Sequence, residues 1–554
     1  MAPKELTWLE LTDFSPGIFS NNNLAGGINV TSDNPCKAQE TGTYRCRSLP
    51  TGGLGPLPRL KGSYGLTTIP DSTAGVTYNV TGFGTWGRIL DVPNTSTLGF
   101  EAHVMLYYQL PDAGLFDVSL TWVRERLFNV IPSTEIIHNV DIANTSTSAG
   151  RYTYFLKTRM NPTTPDSIGA PVMVCVSTRI ANNDIIVSRA WPDPAAPTTN
   201  GTIIVGEALE GTPYVIAAAH QGRIVLGAWD NFSHGLTADL VTNENMYWTE
   251  TNDNTLVSAN PAQFVPELDQ SITDMCAMSA NQLVVVKWYG GGYVLQGDLS
   301  DTTVVQLPNL PCPDGSDYVR GVNTAKGFVY SGGPSGMYLW NGGDGAEPIS
   351  PQLDGNFAVG ANFISGSNGQ CDRWMDLVLV PQNWVWDSNT GGWWRIENIN
   401  TVNMRYWSTV AQNAQAVGVE SSFTTVDPTF MHLFQYDDLA YSWSWKSHPL
   451  WVMPYTHYME IREVTVALSG TGKFTFTFTA EDGDTSVHAI TVNSTSIRNF
   501  RFNLGLDAEN FTLQIEAVGG VAGVGGAEAP LLHRMFVGYH QDSHLVLTDA
   551  VTTP

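Results

Sequence analysis

Lys473-Phe474-Thr475-Phe476-Thr477-Phe478-Thr479 decides the fold class. Successive side chains of an extended strand point to opposite faces, so Phe474, Phe476 and Phe478 share one face and the threonines the other. An aromatic face backed by a hydroxyl face puts one side in a core and one in water, the pattern of an antiparallel sheet. The same alternation recurs in Val464-Thr465-Val466-Ala467-Leu468, in Asn499-Phe500-Arg501-Phe502-Asn503, in Phe511-Thr512-Leu513-Gln514-Ile515 and in Arg534-Met535-Phe536-Val537-Gly538-Tyr539. The stretch 450–545 therefore reads as a C-terminal antiparallel β-sandwich, with 546–554 a short tail. The Gly-rich run from Val518 to Gly526 reads as a loop between its last strands. It holds no complete dinucleotide fingerprint.

Upstream, helical periodicity is scarce, and short Val/Ile/Thr/aromatic runs alternate with Gly, Asn, Asp and Pro clusters, so the whole chain reads as all-β. Five stretches repeat one theme of buried strand, turn and aromatic strand: Tyr214 to Trp229-Asp230, Leu283 to Leu295, Gly327 to Trp340, Leu377 to Trp393-Trp394, and Phe430 to Trp443-Ser444-Trp445. Spacings of about 40 to 60 residues fit a β-propeller of four-stranded blades. Strands between Val76 and Arg189 supply further blades, with Pro162–Asp166 and Pro192–Pro197 as elaborated loops, because Pro donates nothing to a ladder. The body thus spans 63–449, and 1–62 forms an extended arm with the first strands.

Charged residues are only 14% of the chain and aromatics 11%, against about 25% charged in ordinary soluble domains. With 27 Lys+Arg against 52 Asp+Glu the net charge is −25, and the first sixty or so residues are nearly balanced, so the acidity belongs to the later body. Self-repulsion of this size keeps an abundant protein soluble. It also opposes nucleic-acid binding, which depends on Lys and Arg displacing counterions from phosphate. Met1-Ala2-Pro3-Lys4-Glu5 leads straight into alternating residues, without a basic segment followed by an apolar one, and no apolar run reaches membrane-spanning length, so synthesis in a cytoplasm and no membrane insertion are expected. The six cysteines, Cys36, Cys46, Cys175, Cys276, Cys312 and Cys371, lack zinc-site spacing. Cys36 and Cys46 flank a turn at Thr41-Gly42; free thiols are expected, with pairing across the hairpin the alternative.

No catalytic, cofactor or metal constellation is read from the chain. His540 and His544 are four apart but have no helix to make that spacing a chelate. Glu481-Asp482-Gly483-Asp484 lacks a calcium-loop ligand ladder and reads as a type I′ hairpin turn. Gly332-Gly333-Pro334-Ser335-Gly336 has the wrong register for a nucleophile elbow and reads as a blade turn. Ser388-Asn389-Thr390-Gly391-Gly392-Trp393 approaches the sialidase Asp-box turn without its Asp, and reads as an aromatic hairpin. Trp384, Trp386, Trp393 and Trp394 suit core packing, with a sugar platform as the sharper reading.

The opening of the chain adds a resemblance. Trp8-Leu9-Glu10-Leu11 runs into Asp13-Phe14-Ser15-Pro16-Gly17-Ile18-Phe19, an Asn-rich stretch, then Arg45-Cys46-Arg47-Ser48-Leu49-Pro50-Thr51-Gly52-Gly53-Leu54 and Pro58-Arg59. This order resembles the start of the tail nozzle and tail-hub β-propeller proteins of tailed bacteriophages, and a terminal Arg534-x-Phe536-x-x-Tyr539 strand extends the likeness. The resemblance implies a structural virion protein, made in the host cytoplasm and located in the tail. It implies a homo-oligomeric ring, commonly of six copies, below the portal and adaptor, with fibre or spike proteins outside and DNA passing through an axial channel without specific binding. On this reading the chain is not an enzyme and needs no cofactor. The alternative is a tail protein that binds a receptor or cleaves a glycan, since sialidases and other glycosidases also use propellers.

Overall fold

The computed structural model describes residues 5–20, 24, 26–57 and 59–66, the strands between 77 and 435 with the turns named below, most of 319–397, and then 442–452, 458–519 and 529–542. Expectations for Pro162–Asp166, Pro192–Pro197, Trp229-Asp230, Cys312, His544 and most of the Gly-rich run lie outside these residues. No helix among the described residues is long and apolar enough to cross a membrane.

The chain is all-β, a propeller body carrying a C-terminal antiparallel β-sandwich. Seven sheets built on four antiparallel strands form the body among the described residues. Their first strands are Thr77–Leu90, Thr153–Met160, Tyr214–His220, Ile272–Ser279, Val322–Thr324, Asp372–Trp374 and Met404–Val410. Each lies beside the next, and Met404–Val410 returns to Thr77–Leu90, so the ring is closed. The seventh blade takes its outer strand, Arg59–Leu66, from the start of the chain, where it pairs antiparallel with Thr429–Gln435. Opposite ends of the body are thereby tied into one sheet, and closure removes the exposed edge that an open array would present.

Polar side chains staple neighbouring blades. The Gln221 side-chain amide donates to the Ala280 and Gly297 carbonyls at 2.9 and 2.8 Å and accepts from the Leu299 amide at 3.1 Å. The Asp274 carboxylate accepts from the Gly321 amide at 2.7 Å, and the Trp407 indole donates to the Val380 carbonyl at 3.0 Å. Such bonds satisfy backbone groups that the ladders leave over at blade ends.

In the C-terminal unit two long strands, Tyr458–Ala480 and Thr485–Ala508, pair along their whole length. The first half of Tyr458–Ala480 also pairs with Leu531–Asp542, and the second half with Asn510–Gly519. The change of partner falls at a register break between Leu468 and Gly470. Gly470 sits there at φ +89, and a Cβ on it would collide with the Ala529 carbonyl oxygen, so only glycine turns this corner. The bend folds one half of the sheet over the other: Phe476 from one half meets Phe502 from the other at 5.7 Å between ring centroids. Phe474, Phe476 and Phe478 are all fully buried, as their alternation requires.

Two local expectations are corrected. Trp443-Ser444-Trp445 does not end the last blade, because Ser442–Lys446 pairs with Asn510–Gly519 and so belongs to the C-terminal sheet. The turn at Glu481–Asp484 is not type I′, which needs two residues at positive φ; only Gly483 is there, at +94, with its amide bonded back to the Ala480 carbonyl at 3.0 Å.

Candidate functional site

The best-defined constellation in the molecule is a junction of three parts: the N-terminal arm, the sixth blade and the C-terminal sheet. Thr7–Leu11 adds to the edge of Leu531–Asp542, and Ile28–Asn29 runs parallel to Leu450–Trp451. Gly17 bridges to Trp393 of the sixth blade, and Tyr44 to Ser444 of the C-terminal sheet. Gly17 has φ +69, and a Cβ there would lie 2.6 Å from the Trp393 carbonyl oxygen, which explains the glycine in the Asp-Phe-Ser-x-Gly segment. One hydrophobic cluster runs through all three parts, from Leu11, Phe14 and Ile18 through Trp384, Trp393 and Trp394 to Trp443, Trp445 and Phe474.

Three arginines lock this junction. Arg45, at φ +58, reaches Glu397 at 2.7 Å and the Ser442 hydroxyl at 3.3 Å, joining arm, blade end and sheet. Arg47 forks onto the two oxygens of Asp376 at 3.3 and 3.0 Å, with the Asp387 carboxylate 3.9 Å from its Nε. Arg395 pairs with Glu40 of the arm and lies over the Trp384 ring, 4.2 Å from its centroid. Asp387 and Glu397 are almost wholly buried. Charges at such depth are costly unless paired, so the pairs fix where the arm lies rather than adding much stability of their own. Burial raises the Asp387 carboxyl above its ordinary value, and Arg47 is the strongest opposing influence.

Geometry decides several of the alternatives left open by residue type. Trp384, Trp386, Trp393 and Trp394 are all buried, so none offers a flat ring to a sugar. Asp387 shapes the Ser388–Trp393 turn by accepting from the Asn389 and Thr390 amides, and Gly391 takes φ +80. Gly332 and Gly336 close a turn between two strands of the fifth blade. Cys36 and Cys46 are free, buried thiols; burial pushes Cys36 up to about 12, and Cys46 donates to the Ser444 carbonyl at 3.2 Å. Among the described residues no group of three or more His, Cys, Asp or Glu is arranged to hold a metal ion. Ser469 and His533 lie 2.8 Å apart, but Ser469 is buried at the bend of the sheet, out of reach of a substrate. Both oxygens of Asp274 accept backbone amides, from Met275 and Gly321, which commits that carboxylate to the blade contact.

No protein-family model and no curated protein matches the chain. Among solved structures it is similar to an exo-β-1,3-galactanase from Phanerochaete chrysosporium bound to galactose, at 11% identity and a TM-score of 0.25, over 81% of this chain and 95% of that one. It is also similar to a glycoside hydrolase family 43 arabinoxylan arabinofuranohydrolase from Bacillus subtilis in complex with cellotetraose, at 10% identity and a TM-score of 0.27, over 81% and 94% of the two chains. The expectation that the chain is not an enzyme is corrected here, because these matched structures are glycoside hydrolases. At such TM-scores the likeness assigns no substrate and no catalytic role to any residue of this chain.

The arginine lock was only half visible in sequence. Arg45 and Arg47 stand in the quoted opening, but Arg45 takes φ +58 just outside the Cys46–Ser48 strand, so simple strand alternation does not pair them. Their partners Asp376, Asp387 and Glu397 are more than three hundred positions away and carry no local mark.

Proposed function

We propose that this chain is a tail protein of a tailed bacteriophage, a propeller-bodied component of the nozzle or hub through which DNA leaves the virion. One observation carries the reading. Three of the segments that resemble nozzle and tail-hub proteins, Trp8–Leu11, Asp13–Phe19 and Arg45–Leu54, weld propeller to C-terminal sheet. A motif spent on joining two rigid parts fits a protein whose task is to hold shape in an assembly. Several copies then surround a channel, with portal and adaptor proteins above and fibre or spike proteins outside.

Class averages of the purified protein and of gently disassembled particles test this. Rings with an axial hole, at the tail, are expected. Isolated or trimeric propellers at the tail periphery, together with sugar release from host-envelope polysaccharide, replace it with the second reading, a propeller tail protein that binds or cleaves a glycan. The second reading keeps the fold and changes the task, so the sugar assay is run on the same preparation.

A channel protein must let DNA slide. With net charge −25, the purified protein is expected to retain negligible double-stranded DNA in a filter assay at physiological salt, since little Lys or Arg is available to release counterions. Tight, salt-sensitive retention sinks the conduit.

A further inference from the structure

We propose that the open edge of the Thr485–Ala508 strand is where a second copy of this chain docks, adding a strand to the C-terminal sheet. The inference rests on the ring reading above and names one of its interfaces. The strand is 24 residues long and hydrogen-bonds on one side only, to Tyr458–Ala480. Among the described residues nothing pairs with its other side.

Edges of this length are normally blunted by Lys, Pro or other charges, because a row of unpaired N–H and C=O groups templates further pairing. This one is bare. Thr485–Ile497 contains no Lys, Arg, Asp, Glu or Pro, and Val487 and Ile497 are 57% and 56% exposed. On the inward face Ile490, Phe500 and Phe502 are only partly buried against the core, forming an apolar lip where the curled sheet stops short.

Charge selects the occupant. The strand holds Arg498 and Arg501 against Asp507, a slightly basic segment in a chain of net charge −25. Arg501 is engaged by Glu463, whereas the side-chain contact of Arg498 is with the Ser494 hydroxyl. An acidic surface complements this edge, and another copy of the chain is one. That copy also offers strands with a free side, such as the outer blade strand Ile203–Leu209, which among the described residues pairs only with Ile185–Ala190 and contains Glu207 but no basic residue. Contact between different surfaces of successive copies is head-to-tail, and such contacts form a ring when the rotation between copies closes.

The test compares the full chain with the double variant Val487→Glu, Ile497→Glu, which sets like charge against an acidic partner, measuring mass by sedimentation equilibrium and amide exchange over 485–508. Both side chains are exposed, so melting should be nearly unchanged. The wild type is expected to assemble and to protect amides on the free side of the strand. The variant should lose that protection and weaken assembly at least about tenfold. A variant that assembles as tightly as the wild type overturns the edge assignment and leaves the ring standing. A wild type that stays monomeric at high concentration, with fast-exchanging edge amides, overturns the interface and the ring together.

Discussion

Phe14→Ala is expected to destabilise the protein by about 3–5 kcal/mol, the cost of emptying a closed aromatic site. Phe14 is fully buried, set edge-on to Trp445 with 5.2 Å between ring centroids, and its amide donates to the Gly52 carbonyl at 3.1 Å. Its neighbours come from strands far apart in sequence, so little can move to fill the space. The loss should be read from denaturant unfolding followed by tryptophan fluorescence, since many of the 17 tryptophans lie in the same cluster. The arm should also become the first site of limited proteolysis. A shift under about 1 kcal/mol means that the arm is not part of the cooperative unit, and the weld between propeller and sheet fails as an explanation of the motif.

Arg47→Met should cost about 3 kcal/mol at neutral pH, at the low end for breaking a buried pair because Arg47 and Asp376 keep some exposure. The loss arises from what it leaves behind: Asp387, 1% exposed and without the cation that favours its charged form. Its pH dependence separates this cause from lost packing. The folded-state value of Asp387 is already raised above 3.8 by burial, with Arg47 holding it down. Without Arg47 it rises further. A raised acid binds its proton more tightly in the folded chain than in the unfolded one, so stability falls as pH rises from the unfolded value through the folded one. The gap between variant and wild type should therefore be small near pH 4 and widen toward neutrality. A gap of constant size across that window assigns the loss to packing. Asp387→Asn in the Arg47→Met background should recover part of the stability at neutral pH and little near pH 4.

The alternation that exposes a half-buried strand is written in neighbouring residues, and so the C-terminal sheet could be read directly: Phe474, Phe476 and Phe478 lie on one buried face. The hairpins of the third to sixth blades were legible for the same reason, since turn residues and paired strands adjoin in sequence. Trp443-Ser444-Trp445 shows where this stops. Its alternation suits a blade or a sandwich equally, and the partner that decides between them, Asn510–Gly519, lies beyond the whole Tyr458–Ala508 hairpin. The Glu481–Asp484 turn shows a finer limit, because one Gly is compatible with more than one turn type and the backbone angles of its neighbours follow from the bend of the strands it joins.

The all-β character, the alternating faces, most hairpins and the acidic, Lys-poor composition are legible in the chain itself, because they depend on residue type and short-range spacing. Tertiary structure alone decided the seven-bladed closure, the return of Arg59–Leu66 to the last blade, and the burial that keeps the blade tryptophans from any sugar. It alone brought Arg45, Arg47 and Arg395 to their carboxylates and left the Thr485–Ala508 edge unpaired among the described residues. These are facts of partner choice. Strand pairing across hundreds of residues is fixed by ring closure and shared burial, which act on the whole chain at once and leave no signature in any one stretch of it.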